Sequence, residues 1–152
     1  MNIKSREDNG PYGLFVETET TVELFDCDPM QVVWNGNYFN YFEIGRRALI
    51  EKIGCTYSEL EEYGYIFPIV EISAKYLIPL RHRDHARIKA ILTEYENRIG
   101  IKYEIRNTKT GLLTTRGFST QMTYDIKTGN SCFVCPQVLT DKVKALIGEN
   151  VK

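Results

Sequence analysis

The sequence predicts an α+β domain in which one long central helix packs against a single curved antiparallel sheet. Two observations support this fold class. Residues 37–53 repeat apolar side chains at steps of three and four, as an amphipathic helix does. Beyond residue 69 the chain alternates apolar and polar residues in several runs separated by short breaks. Such spacing is typical of consecutive antiparallel strands, and it differs from the βαβ alternation of a parallel sheet.

The first half of the chain contains a strand and two helices. A strand is predicted over residues 16–24, where valine, threonine and leucine alternate with glutamate and threonine. The helix over residues 37–53 ends at Gly54, because glycine suits the left-handed position after a helix. A capping-box pattern at Thr56 then predicts a short helix that stops at Gly64.

The second half is predicted to be mostly strand. Alternating runs occupy residues 70–78, 86–92, 99–105 and 112–126, and a brief strand follows the turn at 127–130. Residues 139–147 fit either a terminal helix or an irregular segment. Residues 1–14 are polar and turn-rich, so we treat them as a loose N-terminal leader and residues 15–152 as a single domain.

Composition excludes several classes of function. The chain has 152 residues, with 19 Lys and Arg against 20 Asp and Glu, a formal net charge of -1. A generic nucleic-acid-binding domain would be clearly basic, so no nucleic-acid partner is expected. No apolar run is long enough to span a bilayer and no signal peptide is visible, so we expect a cytoplasmic protein with no membrane partner.

The four cysteines are expected to be reduced thiols. Cys132 and Cys135 form a single CxxC pair, and Cys27 and Cys55 are not spaced as a second pair. A structural zinc site needs four ligands, so we expect no metal here.

Residues 25–43 carry the most informative motif. They read Phe-Asp-Cys-Asp-Pro-Met-Gln-Val-Val-Trp-Asn-Gly-Asn-Tyr-Phe-Asn-Tyr-Phe-Glu. This segment is similar to the signature of the hotdog-fold acyl-CoA thioesterases, in particular the group with hydroxybenzoyl-CoA thioesterase and the YbgC-like enzymes. The positions that fit the signature are Asp28, Val32, Val33, Trp34, Asn37, Tyr38, Phe42, Glu43 and Arg46. The chain departs from it at Gln31, where the family usually has glycine, and at Asn35, where the YbgC-like branch has histidine.

Asp28 has two interpretations. From the residues alone, an aspartate before a proline is typical of a turn. The resemblance instead implies that Asp28 is the general base or the nucleophile of a thioester hydrolase, and both roles stay open. It also implies that the thioester oxygen lies at the start of the long helix, where the amide of Asn35 or Gly36 would polarise it. Asp26 is a weaker candidate, and Glu43 more readily fits an ion pair on the helix.

The resemblance implies an acyl-CoA substrate, with CoA as part of the substrate and no cofactor. The CoA phosphates need local positive charge, which the hairpin with Asn97 and Arg98 would supply; residues 81–89 form a second basic stretch. Both stretches also fit solvated turns. Substrate-lining residues are expected at Trp34, Tyr38, Phe67, Pro68 and Ile69, although such side chains more often belong to a core.

Hotdog domains pair edge to edge, so the resemblance implies a homodimer or homotetramer with the active site at the subunit boundary. Two other functions stay open. One is a non-hydrolytic protein that binds acyl-CoA or acyl carrier protein, in which Gln31 and Asn35 mark lost catalysis. The other is a dehydratase, which is less favoured because the only histidines, His82 and His85, lie far from the helix in sequence.

Overall fold

The computed structural model describes residues 8–150. The first seven residues of the predicted leader therefore lie outside the described residues, as do residues 151–152. No helix formed by the described residues is both long enough and apolar enough to cross a membrane.

The described chain contains three α-helices and two antiparallel sheets, besides a single 3₁₀ turn at Leu24–Asp26. The helices are α1 (Asn37–Ile53), α2 (Tyr57–Glu62) and α3 (Gln137–Asn150). The strands are β1 (Phe15–Thr21), β2 (Tyr65–Ile66), β3 (Ile69–Tyr76), β4 (His85–Glu94), β5 (Ile99–Asn107), β6 (Leu113–Gln121), β7 (Thr123–Asp125) and β8 (Asn130–Cys132). The main sheet has the order β1-β4-β5-β6-β3, and the small sheet has the order β2-β7-β8. The predicted α+β fold, with its long helix and antiparallel sheet, is confirmed.

The core lies between α1 and one face of the main sheet. Phe42 of α1 stacks on Tyr103 of β5 with ring centroids 4.6 Å apart. A Cβ at Gly117 of β6 would overlap the Phe42 ring, and a Cβ at Gly45 would lie 2.8 Å from the Ile88 side chain. Both glycines therefore let the helix approach the strands closely, because protein interiors leave no room for an extra methyl group.

The local signals for the two N-terminal helices are confirmed. α1 covers the predicted range, and Gly54 ends it with a φ of 95°. In α2 the Thr56 hydroxyl accepts a hydrogen bond from the Glu59 amide at 3.2 Å. At the other end of the chain, the segment around residues 139–147 is part of a helix, α3.

The prediction of one strand over residues 112–126 is wrong, because the chain changes sheets at Met122. β6 pairs with β3 and β5 in the main sheet, whereas β7 pairs with β2 and β8. Between them, the Met122 amide donates to the Pro68 carbonyl at 3.2 Å. The alternation of side chains continues across the break, so the sequence pattern alone does not reveal it.

Residues 8–14, called the N-terminal strap below, pack on the sheet, in contrast to the weak packing expected of them. Asp8 pairs with Lys102, and the Asn9 side chain accepts a hydrogen bond from Lys89 at 2.8 Å. These lysines alternate with residues that face α1, so the strap lies on the opposite face of the sheet. Leu14 at its end is fully buried.

Candidate functional site

The motif of residues 25–43 begins with a tight hairpin that precedes α1. The Trp34 amide donates to the Asp26 carbonyl at 2.9 Å, and the Asp28 amide donates to the Val32 carbonyl at 2.9 Å. The Gln31 amide closes the turn on the Asp28 carbonyl, also at 2.9 Å. The hairpin therefore places Asp28 at the turn and leads the returning chain directly into α1.

The two oxygens of the Asp28 carboxylate have different surroundings. Its Oδ1 accepts hydrogen bonds from the amides of Met30 at 2.8 Å and Val32 at 3.4 Å. Its Oδ2 accepts no hydrogen bond from any residue in the range 8–150. Both interpretations of Asp28 are thus compatible with the geometry, because capping the turn uses only one of the two oxygens. The side chain is half-buried in an open cleft of about 530 Å³, which is also lined by Leu24, Cys27, Gln31, Arg81 and His82.

The start of α1 presents two backbone donors that are unpaired in the part of the chain that the structure describes. A turn formed by the Asn37 amide on the Trp34 carbonyl, at 2.8 Å, has Asn35 and Gly36 as its central residues. Within residues 8–150, neither the Asn35 nor the Gly36 amide has a hydrogen-bond acceptor. Unpaired amides at a helix start carry partial positive charge, so together they form a place for a developing negative charge. The exposed Trp34 ring lies beside Gly36, where a Cβ would overlap it.

Several contacts fasten this segment to its surroundings. The Asn37 side chain donates to the Asp26 carbonyl at 2.8 Å, and the Val33 amide donates to the Leu80 carbonyl at 2.8 Å. The Tyr76 hydroxyl donates to the Asn35 carbonyl at 2.9 Å. Sequence reasoning missed Tyr76, because nothing in its local pattern separates it from the other residues of β3.

Gln31 adopts the left-handed conformation, with a φ of 66°. For residues other than glycine this region costs about 1–2 kcal/mol. The position where the resembling family usually has glycine is therefore one where the backbone itself favours glycine. The glutamine at this position therefore strains the turn.

The substrate-lining residues expected from the sequence do not form one surface in the described chain. Trp34 is 58% exposed and lies next to the unpaired amides. Tyr38 is 2% exposed in the single chain, where it is part of the core, and its hydroxyl accepts a hydrogen bond from the Leu80 amide at 3.1 Å. Phe67 and Pro68 line a second cleft of about 340 Å³, beside α1. Ile69 follows as the exposed first residue of β3.

The two basic stretches lie at opposite ends of β4. Asn97 and Arg98 are exposed in the turn after β4, where the Arg98 guanidinium lies 3.6 Å from the Glu94 carboxylate. Arg81 and His82 precede β4 and line the same cleft as Asp28. At about 3.3 Å per residue, a ten-residue strand separates the two ends by roughly 30 Å. Within one chain, Arg81 and His82 lie close to Asp28, whereas Asn97 and Arg98 lie at the far end of β4.

The other carboxylates of the motif have structural partners. Asp26 accepts hydrogen bonds from the Glu23 amide at 2.9 Å and the Tyr41 hydroxyl at 3.1 Å. Burial, together with the Asp26 charge, raises the pKa of Tyr41 far above its ordinary value, so this hydroxyl stays protonated. Glu43 forms an ion pair with the buried Arg46. These contacts favour the structural interpretations of Asp26 and Glu43.

The cysteines are unpaired thiols in the described chain. Burial raises the pKa of Cys135 to about 11, so it is a protonated thiol near neutral pH. Among residues 8–150, no group of three or more histidine, cysteine, aspartate or glutamate side chains is arranged to hold a metal ion.

Comparison with known proteins identifies the family. The profile of the thioesterase-like superfamily matches residues 22–145, which include the hairpin, α1 and the whole main sheet apart from β1. The chain belongs to this superfamily. The structure of this thioesterase-like protein is similar to that of the DHNA-CoA thioesterase from Staphylococcus aureus, with a TM-score of 0.76 and 27% identity over 90% of this chain and 95% of that one. The predicted hotdog fold is thereby confirmed.

Two relatives of this thioesterase-like protein are similar over a shorter stretch. The putative acyl-CoA thioesterase YneP of Bacillus subtilis (strain 168) is 34% identical over 77 residues, which make up 51% of this chain and 56% of that protein. The chloroplastic acyl-acyl carrier protein thioesterase ATL3 of Arabidopsis thaliana is 37% identical over 76 residues, 50% of this chain and 40% of that protein. The chain thus spans about half the length of these relatives.

Proposed function

We propose that this protein is an acyl-CoA thioesterase, which hydrolyses an acyl-CoA thioester to a free acid and CoA. One observation carries the proposal: a single hairpin joins the Asp28 carboxylate to the amides of Asn35 and Gly36, and one oxygen of that carboxylate and both amides have no hydrogen-bond partner among residues 8–150. Membership of the thioesterase-like superfamily and the names of the relatives support the reaction class.

The chemistry needs one group that activates or replaces water and one that stabilises the oxyanion. Asp28 Oδ2 supplies the first in one of two ways. It takes a proton from the water that attacks the thioester, or it attacks the thioester carbonyl itself, which expels the CoA thiolate and forms a mixed anhydride that water then hydrolyses to the free acid. The amides of Asn35 and Gly36 supply the second, at the positive end of the α1 dipole. Only water and the thioester take part, so the proposed reaction uses neither a metal nor a cofactor.

The proposed functional unit is a dimer. β3 pairs only with β6, and its other edge faces no strand of residues 8–150. Exposed apolar side chains lie in this strand at Val70 and directly after it at Leu77 and Ile78. An unpaired strand edge with an apolar border is suited to pairing with a second copy, which would extend the sheet from one chain to the next. Pairing of two such dimers would give the tetramer.

A dimer also explains the separation of the two basic stretches. Arg81 and His82 would contact CoA bound beside Asp28 of their own chain. Asn97 and Arg98, roughly 30 Å away along β4, would contact the CoA phosphates in the site of the neighbouring chain. The proposed location of the enzyme is the cytoplasm, where acyl-CoA is present.

A thiol-release assay tests the proposed activity. The substrates are aryl-, short-chain and long-chain acyl-CoAs and acylated carrier protein, and wild type is compared with Asp28→Asn. The proposal requires thiol release by wild type with at least one acyl-CoA and its loss in the variant. Release from acylated carrier protein alone would contradict CoA as the carrier. A wild type that binds CoA derivatives but hydrolyses none would instead show a non-hydrolytic binding protein.

A further inference from the structure

The contact between Tyr76 and Asn35 joins the end of the edge strand β3 to the start of α1. The Tyr76 hydroxyl donates to the Asn35 carbonyl oxygen at 2.9 Å. Its ring packs edge-on against Tyr38, with centroids 5.0 Å apart, and Tyr38 is itself held by the Leu80 amide. The hydroxyl is therefore presented from a fixed ring.

This contact sets the direction of one of the two unpaired amides. The Asn35 carbonyl and the Gly36 N–H belong to the same trans peptide unit, which is planar, so the two groups point in opposite directions. A donor fixed on the carbonyl oxygen fixes the N–H on the far side. A hydrogen bond at the carbonyl also polarises the peptide, which makes its N–H a stronger donor.

We infer that Tyr76 is a positioning residue for thioester hydrolysis: its hydroxyl holds the Asn35–Gly36 peptide so that the Gly36 amide is directed at the oxyanion. This inference rests on the proposed function. It adds a residue that touches neither the substrate nor Asp28 and acts only through the peptide.

Two further observations support this role. Partial burial raises the pKa of Tyr76, so the hydroxyl keeps the proton that it donates. In addition, the contact uses only the backbone of residue 35. The asparagine at this position is then no obstacle to catalysis, because its side chain has no part in polarising the thioester.

The fold of the segment has other supports besides the hydroxyl. The Tyr38 amide also reaches the Asn35 carbonyl, at 3.4 Å, and the Val33 amide is anchored on Leu80. Tyr76→Phe keeps the ring and removes only the donor. We therefore expect this variant to fold but to lose the hydrogen bond that directs and polarises the Asn35–Gly36 peptide. Tyr63→Phe is the matched control, because Tyr63 is 60% exposed and its hydroxyl makes no hydrogen bond within residues 8–150.

The experiment measures kcat and KM for an acyl-CoA that wild type hydrolyses, in the two variants and wild type. Removal of a direct oxyanion donor typically lowers turnover by about 10²–10³, and loss of its support should lower it less, by about tenfold. In Tyr76→Phe we expect this loss in kcat with KM unchanged, and an unchanged pH profile because Asp28 is intact. In Tyr63→Phe we expect wild-type values.

A second measurement follows the peptide itself. The ¹⁵N resonance of the Gly36 amide depends on the hydrogen bond at the preceding carbonyl, so it should shift in Tyr76→Phe and stay in place in Tyr63→Phe. An active wild type with unchanged kcat and an unchanged Gly36 resonance in Tyr76→Phe would overturn the inference and leave the proposed function standing. A raised KM with unchanged kcat would also overturn it, since that result would indicate a substrate contact. A wild type without thioesterase activity would overturn the proposed function and this role together.

Discussion

Replacement of Asp28 by asparagine separates the two interpretations of this residue. An asparagine side chain retains an Oδ1 acceptor, so the hydrogen bonds from the Met30 and Val32 amides can persist. The variant loses the negative charge and the basic oxygen. Because general base catalysis contributes roughly 10²–10⁴-fold, kcat should fall by that factor, which equals about 3–5 kcal/mol of transition-state stabilisation. The melting temperature should stay close to that of wild type.

Replacement of Asp28 by alanine removes both functions. Each hydrogen bond in the turn contributes about 0.5–1.5 kcal/mol, and the one to Val32 is long, so alanine should destabilise the protein by about 1–2 kcal/mol. For a chain of this size, that lowers the melting temperature by about 2–8 °C. Alanine should therefore reduce both activity and stability, whereas asparagine reduces activity alone. The measurements are thiol release under steady-state conditions and thermal unfolding followed by circular dichroism.

Asp125 provides the matched control. Its Oδ1 accepts hydrogen bonds from the amides of Lys127 at 2.9 Å and Thr128 at 3.3 Å, so it caps a turn in the same way as Asp28 but in the small sheet. Asp125→Asn should leave both kcat and the melting temperature unchanged. If Asp28→Asn retained the wild-type kcat, the carboxylate would be a turn residue only, and the reasoning from its unpaired oxygen would be refuted.

Three further substitutions test other parts of the site, and one labelling experiment tests a buried thiol outside it. Gly36→Ala should lower kcat with little loss of stability, because the added methyl group displaces the exposed Trp34 ring and not the backbone; steady-state kinetics and thermal unfolding check this. Gln31→Gly should raise the free energy of unfolding in urea by about 1 kcal/mol, since glycine relieves the left-handed strain. Arg98→Ala should raise KM for an acyl-CoA about tenfold but leave KM unchanged for the matching acyl-pantetheine thioester, which lacks the nucleotide. Because its pKa is about 11, Cys135 should resist alkylation by iodoacetamide at pH 8 in the folded protein and react once it is unfolded, as mass spectrometry would show.

The sequence predicted best those elements whose signals are local. Residues 37–53 carry both the helical repeat and a terminal glycine, and the structure has α1 over the same range with Gly54 in the left-handed conformation. The family signature also singled out the segment around Asp28, although the tight hairpin found there was not predicted. In both cases a few neighbouring residues contain the whole signal.

The features that sequence reasoning missed depend on distant partners. The break at Met122 is caused by a change of neighbouring strands, which leaves the alternation of side chains unchanged. Tyr38 was named as a substrate-lining candidate. It is buried in the single chain, and its hydroxyl accepts a hydrogen bond from the Leu80 amide, 42 residues away. Tyr76 contacts Asn35, which is 41 residues away in sequence, and no local pattern predicts such a contact. Contacts over such separations arise only when the sheet assembles.

The N-terminal strap has a consequence for how copies of the protein can associate. On the side of the sheet that faces away from α1, it covers Lys89, Lys102 and the fully buried Ile91, whose side chain lies against Gly10 of the strap. Two dimers that met back to back at this position would touch strap against strap, with each lysine already neutralised or hydrogen-bonded by its own chain. Deletion of residues 8–14 would therefore expose the apolar side chain of Ile91 between the positive charges of Lys89 and Lys102. The resulting surface would favour different quaternary contacts from those of the intact chain.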